Sequence, residues 1–154
     1  MPQSESAPAT EEHVCSEGLV RGIVYDPDGP IKLREEPRAD AKILKQIPSG
    51  SAVVFRDVAG EWKETFLDDS EATYYVHENR LLAEAKNIDP EPPTKIRGGP
   101  GFDTAVVGEV GIEVPIFAQF DEKPWLFVVA GSPEKGFVHG YVWHELIQDP
   151  RLSR

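Results

Sequence analysis

From residue 19 onward, short runs rich in Val, Ile, Leu, Phe, Tyr and Trp alternate with clusters of Gly, Pro, Asp and Ser. In the first half the runs fall at 19–25, 31–34, 43–47, 52–58, 62–66 and 72–77. In the second they fall at 95–97, 105–110, 114–120, 125–130, 136–139 and 141–147. No window between 19 and 80 carries a helix-period apolar stripe over three turns, and β-branched and aromatic residues concentrate inside the runs, so strands are predicted throughout. Only 78–86 has a helix-compatible composition. Strands this short and closely spaced build a small sandwich or barrel.

The pattern also repeats. Arg34, Pro37, Asp40 and Trp62 recur 63 positions later as Arg97, Pro100, Asp103 and Trp125, and His77 recurs with a one-residue displacement as His139. The apolar positions keep the same register: Leu33, Ile43, Leu44, Ile47, Val53 and Val54 stand opposite Ile96, Val106, Val107, Val110, Ile116 and Phe117. A match of both core pattern and turn residues predicts a duplicated unit. Each unit is near the lower size at which a core sustains a fold alone, so the two are expected to bury surface against each other. The predicted layout is a tail at 1–17, a first unit at 18–85, a linker at 86–94 stiffened by Pro90, Pro92 and Pro93, a second unit at 95–148 and a tail at 149–154.

The first copy reads Ile31-Lys32-Leu33-Arg34-Glu35-Glu36-Pro37, then 43–47, Gly50, 53–55, Trp62 and Tyr75-Val76-His77. The second reads Lys95-Ile96-Arg97-Gly98-Gly99-Pro100, then 106–110, 114–117, Trp125 and Gly136-Phe137-Val138-His139. This order resembles the bacterial SH3-like domain family, whose pattern opens on a Leu-x-Val-Arg-x-x-Pro strand and closes on Gly-aromatic-Val. Tyr74 departs from it, standing in the first copy where the closing Gly belongs. The resemblance implies an all-β fold of two small SH3-like barrels in tandem joined by a short Pro-containing linker. It also implies a non-catalytic role in the cell envelope, as targeting or peptide-binding modules that occur beside peptidoglycan-cleaving domains.

Charge narrows the partners. The chain has a net charge of −11; residues 1–86 carry 17 acidic and 10 basic side chains, and residues 87–154 carry 10 and 6. Without a basic stripe there is no electrostatic footprint for nucleic acid or anionic lipid, and no apolar run is long enough for a membrane-spanning helix. The expected partner is a peptide, a peptidoglycan fragment or a protein. Residues 1–20 lack the basic-then-apolar order of a signal peptide, and 2–12 read like the tether that follows a cleaved one. The expected location is therefore periplasmic or secreted for a mature form, and cytoplasmic otherwise.

Candidate ligand-binding side chains are Trp62, Tyr74, Tyr75, Trp125, Phe137, Tyr141 and Trp143, aromatics near the long polar loops 35–42 and 98–104. Trp62 and Trp125 also suit half-buried core anchors. Strand alternation puts Tyr74 and Tyr75 on opposite faces, and Tyr141 and Trp143 on one. The second copy, with its glycine-rich loop and extra aromatics, is the expected working surface.

Other chemistry finds less footing. Cys15 is the only cysteine, which excludes an intrachain disulfide and a cysteine-rich zinc site, and its predicted mobile setting cannot orient a nucleophile. His77, His139 and His144 form no tight ligand pair; on strand-like sequence the last two fall on opposite faces. Glu35–Glu36 and Asp68–Asp69 lie in solvated loops, and Gly98 to Gly101 lacks the Lys and helix of a phosphate loop. No metal, cofactor or catalytic residue is expected. The leading expectation is a non-enzymatic binding module, and the alternative is an acidic inhibitor or assembly factor covering a basic protein.

Overall fold

The computed structural model describes residues 18–56, 60–68, 70–120 and 123–149. The 1–17 tail with Cys15, residues 57 and 58 of the fourth predicted run, and most of the C-terminal tail lie outside them. Thirteen strands follow in order: β1 Leu19–Val24, β2 Ile31–Arg34, β3 Ile43–Ile47, β4 Ala52–Arg56, β5 Trp62–Phe66, β6 Tyr74–His77, β7 Leu81–Asn87, β8 Thr94–Arg97, β9 Val106–Val110, β10 Ile116–Ala118, β11 Trp125–Ser132, β12 Gly136–Trp143 and β13 Ile147–Gln148. The fold is all-β. Its only helical pieces among the described residues are 3₁₀ turns at Glu78–Arg80 and His144–Leu146.

All strand pairings are antiparallel, and they run unbroken in the order β3-β2-β6-β5-β4-β1-β7-β10-β11-β12-β8-β9, with β13 added to β7. The expected all-β class holds, and the strand order is continuous across the two halves. β7 pairs with β1 through Ala83↔Gly22 and with β10 through Ala83↔Ala118, so one open sheet spans both halves. Within the helix-compatible 78–86 only Glu78–Arg80 turns as a 3₁₀ helix, and residues 86 and 87 of the expected linker belong to β7. Residues 81–87, although rich in good helix formers, are held as a strand by partners on both sides, which overrides local propensity.

The rest of the expected linker is pinned. Asn87 donates to Thr94 Oγ1 at 2.9 Å, Thr94 Oγ1 donates to Asp89 Oδ2 at 2.8 Å, and the Asp89 amide returns to Asn87 Oδ1 at 2.9 Å. Asn87 and Thr94 are buried, so their polar groups need these partners.

Strand alternation sorts the apolar residues into three clusters. Val20, Val24, Leu33, Val53, Phe55, Tyr74 and Val76 belong to one core, and Ile96, Ile116, Leu126, Val128 and Val142 to a second. A third lies on the other face of the shared strands, where Ile23, Leu82 and Val129 are buried with Phe117, Phe127 and Phe137 against them. Removing a side chain of this size from water is worth ~1.5–3 kcal/mol each, so this cluster ties the halves together. Gly50, at φ +91°, belongs to the same seam: the Phe137 ring rests where its side chain would be.

Two strand boundaries differ from expectation for one reason. The second half was expected to break at Gly140, yet β12 runs through it to Trp143. A Cβ at Gly140 would meet the Arg97 carbonyl, so the glycine admits the backbone of β8 to close contact.

Candidate functional site

Backbone bonds around the two polar loops recur at the 63-residue spacing. Arg34 Nη1 donates to the Ala41 carbonyl at 2.8 Å and Arg97 Nη1 to the Thr104 carbonyl at 2.9 Å. The Glu35 amide meets the Lys42 carbonyl and the Gly98 amide that of Ala105; both hairpins shift register at the same step, Leu33/Arg34 and Ile96/Arg97. Each half-buried arginine thus fastens the loop that follows it, a structural role that accounts for its recurrence in both copies without any ligand.

The strand registers revise the closing alignment. Trp62 pairs with His77, Lys63 with Val76 and Glu64 with Tyr75, while Trp125 pairs with Trp143, Leu126 with Val142 and Phe127 with Tyr141. His77 therefore corresponds to Trp143, and the closing Gly-aromatic-Val of the second half is Gly140-Tyr141-Val142. The expected match of His77 to His139 fails because the β11–β12 hairpin is longer than β5–β6 and carries a look-alike, Gly136-Phe137-Val138-His139, in its extension.

The predicted aromatics separate accordingly. Tyr74 is buried in the first core, which removes it as a ligand contact. Tyr75 lies half-buried on the other face, as alternation requires. Phe137 is half-buried in the seam between the halves rather than in a groove. Tyr141 packs edge-on to Phe127, with centroids 5.6 Å apart. His139 accepts or donates a 2.8 Å bond with Tyr25 Oη across the seam, and His144 sits in the 3₁₀ turn after β12, so the two histidines do not share a strand. Burial, and secondarily the Asp26 charge, holds the Tyr25 hydroxyl above the ordinary tyrosine range.

Trp62 and Trp125 are each half-buried and belong to neither core cluster, contrary to the core-anchor reading. Trp125, Trp143 and Phe102 meet on one face. The centroid separations are 5.5 Å for Trp125–Trp143, 4.7 Å for Phe102–Trp125 and 5.4 Å for Phe102–Trp143. Phe102, 65% exposed, is the most exposed large apolar side chain described. It is held by the glycine-rich loop, whose carbonyls at Gly99 and Gly101 both accept from Thr104 Oγ1 at 3.0 and 2.7 Å. The Arg97 guanidinium stands 5.9 Å from the Phe102 centroid, and Trp143 Nε1 donates to Glu145 at 3.3 Å. Trp125 stands steeply to the other two rings, at 72° to Phe102 and 70° to Trp143, while Phe102 and Trp143 are tilted by 39°, so the cluster offers flat and edge surfaces for an apolar or sugar-like body, with polar atoms at the margin.

Phe102 escaped the sequence reading. It lies in a loop without strand pattern, and its one signal was being the sole aromatic of 98–104.

In the first half the same positions hold Ala39, Trp62 and His77. There the Trp62 ring stands edge-on to His77, with centroids 5.2 Å apart, beside an open cleft of about 550 Å³. The 35–42 loop is braced by Arg38, which donates to Glu36 (3.0 Å) and Asp40 (2.8 Å). That hydrogen bond and the adjacent charge hold the Asp40 carboxyl below its usual range. Among the described residues no group of three or more His, Cys, Asp or Glu side chains is arranged to hold a metal ion, and no helix is long and apolar enough to cross a membrane.

No family model matches the chain, and no curated protein does. Among solved structures, NlpC2 from Trichomonas vaginalis aligns over 86% of this chain at 11% identity and a TM-score of 0.36. The chain spans about half of that protein, 49% of its length. A likeness this slight carries no argument about fold or function.

Proposed function

We propose that the protein is a non-enzymatic binding module of the bacterial cell envelope or secreted space, made of two SH3-like units that share β7, and that it recognises a peptidoglycan stem peptide or another peptide or protein ligand. The observation that carries this reading is the cluster on the second unit in which the exposed Phe102 meets the half-buried Trp125 and Trp143. An exposed phenylalanine costs solubility, and grouped aromatics on a rigid strand pair mark recognition surfaces. The recurrence of loop bonds at a 63-residue spacing supports the two-unit description.

The test is sedimentation with purified peptidoglycan. Wild type is expected to pellet and Phe102→Ala/Trp143→Ala to remain in the supernatant, with little change on raising salt. Wild type that stays in the supernatant overturns wall binding. A second reading, an inhibitor or assembly factor covering a basic partner, draws on the net charge of −11; it predicts association with a basic protein that weakens steeply with ionic strength.

A further inference from the structure

We infer that the first half holds a second ligand site of different chemistry, a carboxylate-binding cleft beside Trp62. It stands independently of the aromatic face of the second half. The cleft is lined by the basic Lys32, Arg34 and Arg80 and by the acidic Asp26 and Asp28. A basic excess here is against the trend of a chain with net charge −11.

The difference from the second half arises at two positions. Phe102, which covers the Arg97 guanidinium, is replaced by Ala39, so no ring covers Arg34 from that position. Trp143 is replaced by His77, which turns an apolar wall into a polar one. Arg34 spends Nη1 on the Ala41 carbonyl, one of the five N–H groups of a guanidinium. Arg80 meets Asp26 at 3.3 Å through Nε, which leaves the Nη edge of the fork for a second carboxylate. Asp26 is further engaged by the Asp28 amide at 2.9 Å, so its charge is partly answered within the protein. Trp62, Pro30 and Val76 supply apolar wall for the body that carries the anion. Guanidinium groups beside an indole suit a peptide carboxylate, from a chain terminus or an acidic side chain.

Three probes separate the sources: N-acetyl-trialanine with a free carboxylate, the same peptide as its amide, and N-acetyl-Ala-Glu-Ala-amide. Binding is read from the indole N–H signals in ¹H–¹⁵N NMR, assigned by Trp62→Phe, Trp125→Phe and Trp143→Phe. One or both carboxylate peptides are expected to shift the Trp62 signal, the amide to bind about tenfold more weakly, and Arg80→Gln to weaken carboxylate binding by a similar factor. Arg34→Gln should do the same, and Arg80→Gln keeps the test decisive if losing the loop anchor unfolds that variant. Equal binding of acid and amide, no shift of Trp62, or undiminished binding in Arg80→Gln overturns the site. Shifts confined to Trp125 and Trp143 also overturn it, while leaving the aromatic face intact.

Discussion

At the residue scale, exposure decides which side chains are free to act. Phe102→Ala should cost only about 0.5–1.5 kcal/mol in urea denaturation, because the ring is mostly exposed and what it loses is its contacts with Trp125 and Trp143. Tyr74→Ala, one position from the half-buried Tyr75, should cost roughly 3–5 kcal/mol by the same measurement, since it empties part of the first core. The pair was legible as a pair: alternation required opposite faces, but which tyrosine faced inward depended on register with Thr65 and Glu64. In the 35–42 loop the Asp40 carboxyl titrates below its usual range because Arg38 donates to it. Its contact is therefore present above the ordinary carboxylate pKa and lost as pH falls through the lowered one; an NMR titration should show Arg38→Gln moving that midpoint upward.

At the scale of elements, pairing outweighs propensity. The 81–87 segment, most of it inside the helix-compatible 78–86, lies as a strand between β1 and β10. Leu82, 1% exposed, faces the seam, so Leu82→Ala should cost roughly 2–5 kcal/mol and destabilise both halves together. Hydrogen exchange would show it as faster exchange in β1 and β10 alike. The longer β11–β12 hairpin explains the misleading His77–His139 match: its extension serves the seam, through Val129 and Phe137, and brings its own aromatic-Val-His sequence. Three residues in a row recur by coincidence as readily as by duplication, and only the strand register separates the two cases.

Across the whole molecule, the seam should make unfolding one event. Two cores share β7, and Tyr25 of the first half bonds His139 of the second at 2.8 Å. Urea unfolding followed by indole fluorescence and by far-ultraviolet dichroism should give coincident transitions; two separated transitions would mean that the seam contributes little. Tyr25 has its proton held more tightly in the folded chain than in the unfolded one, so its contribution is complete below the ordinary tyrosine pKa of 10.0 and is lost as pH rises through the raised value. Tyr25→Phe should flatten that part of the alkaline stability profile.

What the sequence determined by itself was local: short strands, the loops between them, the recurrence of Arg, Pro, Asp and Trp, and the acidic balance. Side-chain periodicity and turn chemistry act over a few residues, and they are written along the chain. Tertiary structure alone decided that β7 belongs to both halves, that Phe102 meets two tryptophans, and that Trp143 rather than His139 answers His77. Each of these depends on hydrogen-bond register between segments far apart in sequence, where a shift of a few residues changes every neighbour and no local pattern records the choice.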